Sequence, residues 1–333
     1  MKGSWSAGWL VVLVGFAARV DADEALGPRF SAAAESLSSE VEAYAARAVA
    51  PRLAPAGYGL TLAAAAEEES DEVIVSASGL VEEDRVGPNE QPRWTTRRRF
   101  PTTRAYVLEP FQIEAETWWR GKFRKNGEGT DHRFQQEIGI GLPYRLQLDI
   151  YESFEDPHDG DFGHSAVQVE VRWALAKWGR IPLNPTIYVE HVANRGGPDA
   201  IELKLLLAEE LGRGWHWAIN FIYEQVTGGE RDRELAISTA VSYTLLDDRL
   251  SVGLEIKFEN ASVAGARGDS ENELLIGPSV QWILSPRVHV AFAPLIGVTS
   301  DSPRVEAYLV VGFDLSPREG EERGRAPTST RSR

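Results

Sequence analysis

From residue 111 onward, apolar and polar positions alternate with a period of two, and turn-forming residues recur about every 12 to 20 positions. The pattern predicts twelve antiparallel strands, near residues 111–124, 132–141, 144–154, 165–175, 185–192, 200–208, 214–225, 234–246, 249–259, 272–284, 287–298 and 303–315. One face of these strands is apolar, carrying for example Ile113, Ile138, Ile150, Val169, Leu203, Ile219, Ile237 and Leu254. The opposite face collects Glu114, Glu116, Arg120, Lys122, Glu137, Arg145, Asp149, Glu170, Arg172, Glu190, Glu202, Lys204, Glu255, Lys257 and Glu306. Glu152 is the exception, a charge on the apolar face.

A soluble β-sandwich would alternate in the same way, with its apolar face turned inward. Three features point instead to a membrane. The strands run to about 11 to 13 residues, closer to the roughly 9 to 11 that cross a bilayer at a tilt than to the five or six common in soluble sheets. Aromatics gather at strand ends, Phe123, Phe134, Phe154, Tyr223 and Phe258 towards one rim, and Phe111, Tyr144, Trp173, Trp215, Trp217, Tyr243 and Trp282 towards the other. Such girdles mark the two membrane interfaces of a barrel. The connections also alternate between tight (at Pro143, Asp247 and Pro286) and long and polar (156–164, 194–199, 227–233 and 260–270). The expected fold is therefore all-β: a 12-stranded antiparallel transmembrane β-barrel, preceded by a partly helical or disordered N-terminal leader. Unpaired backbone groups in hydrocarbon are so costly that the sheet must close. Pro278 and Pro294 fall inside predicted strands, where each removes a ladder donor.

Before the barrel, Lys2 precedes the apolar run from Trp9 to Ala18, which is short for a membrane span and right for a signal peptide. Residues 1–22 read as that peptide, cleaved after Ala22, with a buried N-terminal helix as the other reading. Residues 23–110 form a periplasmic leader or a plug, with an Ala-rich stretch over 30–53 and an acidic patch over 63–71. Its basic end carries Arg93, Arg97, Arg98, Arg99 and Arg104. Two fates are open to Arg97, Arg98 and Arg99: a solvated linker, or a segment folded back into an acidic lumen. The barrel spans 111–315, and residues 316–333 form a polar tail.

Charge and composition narrow the chemistry. The chain has 333 residues, no Cys and a formal charge of −15. That excludes thiolate metal sites and cysteine catalysis and argues against nucleic-acid binding, which needs clustered cations. The predicted lumen face holds nine acids and six bases, so an open passage favours cations, while cross-strand pairing of the same charges would close it. The loop residues Asp156, His158, Asp159, Asp161 and His164 offer oxygen and imidazole donors but match no EF-hand spacing. His216, Asn220 and Ser238 share the lumen face and have the residue types of an outer-membrane phospholipase, without its local sequence around the nucleophile. No phosphate cradle or cofactor motif is present, and no metal site is predicted. The reading is a non-enzymatic channel or transporter, or else a structural or ligand-binding barrel with a closed lumen. Its partners are membrane lipid, the outer-membrane assembly machinery and a small-molecule solute.

Two stretches carry a resemblance to a known family. Residues 109–123, Glu-Pro-Phe-Gln-Ile-Glu-Ala-Glu-Thr-Trp-Trp-Arg-Gly-Lys-Phe, and residues 137–151, Glu-Ile-Gly-Ile-Gly-Leu-Pro-Tyr-Arg-Leu-Gln-Leu-Asp-Ile-Tyr, resemble early hairpins of Gram-negative outer-membrane channels grouped with the phenol-degradation MetA-pathway barrels. The resemblance covers about residues 105–315 and implies a small outer-membrane barrel for small molecules, with no catalytic residues. The last strand, Glu306 to Phe313, resembles the assembly signal of such proteins, although the polar tail follows it. Asp71 to Ala77 is similar to the energy-coupling box of TonB-dependent receptors, whose 22-stranded barrel this chain is too short to build.

Overall fold

The computed structural model describes residues 79–316, except residue 128. The signal segment, the TonB-box-like stretch and the tail from residue 317 lie outside the described residues. Two two-residue strands, β1 (Arg85–Val86) and β2 (Gln91–Pro92), pair with each other. Twelve longer strands follow: β3 (Ile113–Phe123), β4 (Thr130–Leu142), β5 (Leu146–Asp156), β6 (Gly163–Ala174), β7 (Thr186–Asn194), β8 (Ala200–Gly212), β9 (Trp215–Val226), β10 (Arg233–Leu246), β11 (Leu250–Ser262), β12 (Glu271–Ser285), β13 (Val288–Gly297) and β14 (Val305–Asp314). Each pairs antiparallel with its chain neighbours, and β14 pairs with β3, so the sheet closes into a ring with no free edge.

Period-two alternation decides which face meets what. Ile138, Ile150, Val169, Val189, Leu203, Ile237 and Leu254 are all exposed on the outside, forming a continuous apolar band. A soluble protein does not present that much contiguous apolar surface to water, whereas hydrocarbon accepts it. Among the described residues no helix is long and apolar enough to cross a membrane. Trp173, Trp215, Tyr243 and Trp282 are exposed around the rim with the tight turns, and Trp215 and Tyr243 are 5.0 Å apart between ring centroids. At the opposite rim Phe162, in the loop before β6, stands exposed and lies 5.9 Å from Phe154 and 6.1 Å from Phe134.

Three details differ from the expected pattern. Phe111, Tyr144 and Arg145 have φ of 70°, 64° and 65°, so they sit in turns at the rim, and β3 and β5 begin two residues later than alternation suggested. β8 runs on to Gly212, four residues beyond its expected end. Pro278 and Pro294 are genuinely within β12 and β13, and they face one another: the β12–β13 register holds at Ile276 with Ile296 and resumes at Val280 with Phe292. The two missing donors thus fall in one seam. Gly277 adapts the chain there, because a Cβ at that position would overlap the Pro294 carbonyl.

The outer face carries one polar row at mid-strand. Thr117 donates to Gln136 at 2.8 Å, and Gln136 is the cross-strand neighbour of Glu152, which is exposed on this face. A carboxylate facing the bilayer interior opposes folding, by less than the roughly 2–4 kcal/mol of a midplane Lys or Arg. Replacing it, Glu152→Leu, raises resistance to urea unfolding in lipid vesicles by up to ~2 kcal/mol. A loss of stability would place Glu152 in a favourable contact instead.

Candidate functional site

The lumen is the site, and half of it is filled by the chain itself. Residues 79–112 enter the ring at the tight-turn rim, where the Val81 and Glu82 amides donate to the Asp247 carboxylate at 2.8 and 3.2 Å. The eleven-residue β6–β7 connection, long for this side, folds against the entering segment. Trp178 donates its amide to the Asn89 carbonyl at 3.0 Å, and Lys177 pairs with Glu90 at 2.7 Å. That lysine holds the Glu90 carboxyl below the usual carboxylate range. Trp94 and Tyr106 each meet the Trp178 ring edge-on, at 5.8 and 5.2 Å. Tyr106 donates its hydroxyl to the Ala176 carbonyl at 2.6 Å, and burial pushes that hydroxyl up to about 12, so it remains a donor.

The wall is shaped to receive these rings. Trp94, Phe100, Tyr106 and Val107 pack on Ala174, Ala208, Ala218 and Ala240. Ala208, Ala218 and Ala240 are direct cross-strand neighbours on β8, β9 and β10, so three small inward residues leave one shallow hollow at aromatic height. On β4, Gly141 lies so close to the Glu109 carbonyl that a Cβ would overlap it. Its amide donates to the Gln112 carbonyl at 2.9 Å, and its carbonyl accepts the Phe111 amide at 2.7 Å.

Deeper in, arginines of the segment meet acids of the wall. Arg98 grips Glu116 with two nitrogens, at 2.6 and 2.8 Å, reaches Glu137 at 3.4 Å, and lies 3.8 Å above the Trp118 ring. Arg104 binds Glu137 at 2.6 Å and lies 3.7 Å from Glu116. The wall residue Arg172 extends the network to Glu170, to Asp149 at 3.3 Å and to Glu137 at 3.8 Å. Arg99 points to the other side, donating to Ser242 at 2.9 Å, Thr244 at 2.8 Å and Glu82 at 3.0 Å, with His216 Nδ1 at 2.9 Å. An accepting Nδ1 leaves the ring proton of His216 on Nε2. At the turn of the segment, Glu255 accepts both the amide of Thr102, at 2.9 Å, and its hydroxyl. Asn220 clamps Arg104 by its backbone, accepting from N and donating to O, both at 2.8 Å. Glu137, Asn220 and Glu255 stand at the middle of their strands, so the segment fills the half of the lumen on the tight-turn side.

The other half is wetter and is lined by paired charges. Arg120 lies 3.7 Å from Glu306, Lys122 pairs with Glu273 at 2.9 Å, Arg133 with Glu155 at 2.6 Å, Lys204 with Glu202 at 2.6 Å and Lys257 with Glu259 at 2.6 Å. Glu190, Glu224 and Glu234 form no ion pair with the described residues, although Tyr188 donates to Glu190.

The residues expected to line the lumen therefore separate into groups. Glu114, Glu116, Glu137, Asp149, Glu170, Arg172, Glu190, Glu255 and Glu306 are buried on the inner face, whereas Arg120, Lys122, Glu202, Lys204 and Lys257 are partly exposed on it. Arg145 is not on a strand; it sits in the β4–β5 turn and donates to the Ala174 carbonyl at 3.0 Å. Arg97 stays at the rim, donating to the Pro286 carbonyl at 2.8 Å, with Asp248 at 3.4 Å, while Arg98 and Arg99 go inward. His216 and Asn220 bind the inserted segment, and Ser238 Oγ is buried with no hydrogen-bond partner, so the three do not form a nucleophile and base. Among the described residues, the histidines and aspartates of the 156–164 loop do not converge into a ligand set. Glu82, Trp94 and Trp178 carry contacts that alternation could not single out. The inward alanines in register were the available signal.

A family model described as "Putative MetA-pathway of phenol degradation" matches residues 193–310, from the end of β7 into β14. No curated protein matches the chain. Among solved structures, the COG4313 outer membrane channel from Pseudomonas putida F1 is similar at 9% identity and a TM-score of 0.48, over 63% of this chain and 97% of that one. The NanC porin aligns at 11% identity and a TM-score of 0.43, over 61% and 98% of the two chains. The translocator domain of the autotransporter NalP from Neisseria meningitidis aligns at 11% identity and 0.38, over 61% and 87%. The chain forms a closed twelve-stranded antiparallel β-barrel, and over residues 193–310 it resembles the MetA-pathway phenol-degradation family.

Proposed function

We propose that the barrel is an outer-membrane channel for small molecules or ions, closed at rest by residues 79–110 acting as a plug. The carrying observation is the placement of Arg98 and Arg104 against Glu116 and Glu137: leader cations neutralise wall acids in the middle of the lumen. Twelve strands enclose more interior than the eight-stranded barrels that side chains fill, so displacing the segment leaves an aqueous path. Glu190, Glu224 and Glu234 are acids without an ion-pair partner among the described residues along that path, and water entering the opened lumen ionises them, which favours cationic solutes. No reaction is assigned to the lumen. Domain boundaries follow the same reading: 1–22 as signal peptide, 23–110 as leader and plug, 111–315 as barrel, and 316–333 as tail. Membrane lipid and the assembly machinery are its partners.

The experiment is planar-bilayer recording of the full chain and of the double variant Arg98→Gln, Arg104→Gln under a salt gradient. The variant is expected to open more often than the parent and to show a cation-selective reversal potential. A folded variant with no channel events would leave a barrel whose closed lumen is permanent and structural.

A further inference from the structure

The wall beside Arg98 contains two donors the channel reading leaves unused, Glu114 and His289, on either side of Glu116. Glu114 and Glu116 project inward from β3, and His289 projects from β13 across β14. One ligand atom from each lies within 4.8 Å of the others, and all three residues are buried. His289 Nε2 lies 3.4 Å from Glu116 Oε1, and Nδ1 lies 3.7 Å from Glu114 Oε1. Glu114 Oε1 and His289 Nε2 are both buried without a hydrogen-bond partner. The ring's position is set by the strand between: Gly312 is paired with His289, and a Cβ there would overlap the imidazole.

We propose that Glu114, Glu116 and His289 bind a divalent transition-metal cation, Zn²⁺ being the reference ion. Charge counting supports a dication. The buried network contains five carboxylates (Glu114, Glu116, Glu137, Asp149 and Glu170) and three guanidinium groups (Arg98, Arg104 and Arg172). With every carboxyl ionised and His289 neutral the set carries a net charge of −2, which a bound dication would offset, as protons on two of the acids would without it. Donor chemistry selects the metal class, because an imidazole nitrogen with two carboxylates suits Zn²⁺ and its neighbours better than Ca²⁺ or Mg²⁺. Zn–N and Zn–O bonds of about 2.1 Å place ligand atoms roughly 3.4 Å apart in a tetrahedron, so small side-chain adjustments complete the site. Arg98 holds Glu116 at Oε2 with two nitrogens, at 2.6 and 2.8 Å, and at Oε1 with one, at 3.0 Å, so Oε1 keeps a second lone pair for the ion. The other acidic trio, Glu259, Glu273 and Glu306, already has Lys257 and Lys122 on it.

The test is calorimetric titration of Zn²⁺ into chelator-treated, detergent-folded full chain, with the heat-modifiable gel band as the folding check. One Zn²⁺ per chain is expected. His289→Gln and Glu114→Gln should each weaken it at least roughly tenfold, and Glu273→Gln should leave it unchanged. Should either ligand variant fail to fold, the absorption spectrum of the Co²⁺-loaded parent decides, since nitrogen ligation in a low-coordinate site gives intense visible bands. A parent that takes up no Zn²⁺ and gives no such Co²⁺ bands overturns the proposal, as does wild-type affinity in folded His289→Gln. Either result would leave His289 packed between the two carboxyl groups with no ion.

Discussion

A chain lacking residues 23–105 conducts, with single-channel current at least roughly tenfold above the background of the intact protein. The truncation removes Trp94 and Phe100 from the alanine hollow, Arg98 and Arg104 from the wall acids, and Arg99 from Ser242, Thr244 and His216. The ring survives because its hydrogen-bonded ladder from β3 to β14 does not involve the removed residues. Carboxylates such as Glu116 and Glu137, now without their leader arginines, are hydrated by water entering from the tight-turn rim. Planar-bilayer recording reads the result directly, with folding checked by gel mobility before and after boiling. Equal conductance in intact and truncated protein would mean that the segment does not obstruct the path.

Arg172→Met is the second large effect, a loss of about 3–5 kcal/mol in unfolding free energy. Arg172 is buried among Asp149, Glu170 and Glu137, and it comes from the wall rather than the leader. Removing its charge leaves carboxylates facing each other where water has little access. Lys204→Met is the comparison: Lys204 pairs with Glu202 in the wetter half of the lumen, where solvent screens the loss, so it costs about 1 kcal/mol or less. Urea titration in vesicles measures both. Equal effects would show that the Arg172 network is solvated.

The ring was legible in the chain because alternation survives every strand: a residue such as Leu203 or Ile237 faces lipid only if its neighbours on either side face the lumen. Strand ends were less so. Phe111 and Tyr144 continue the apolar alternation but occupy left-handed backbone, which no residue preference announces for an aromatic. The fate of Arg98 and Arg99 was open from sequence, because a run of arginines is equally compatible with water and with buried carboxylates. The complement to Trp94 was written in Ala208, Ala218 and Ala240, but their adjacency depends on a register across three strands that the chain does not state locally. The Glu114, Glu116 and His289 grouping likewise needs β14 to close onto β3.

The facing prolines of β12 and β13 make the ring mechanically uneven. A closed hoop distributes load over all its seams, and the one lacking amide donors at mid-height yields first. Under stepwise pulling, or in deuterium uptake along the wall, that staves-of-a-cask joint is where separation begins, and the hoop opens there into a single curved sheet edged by β12 and β13.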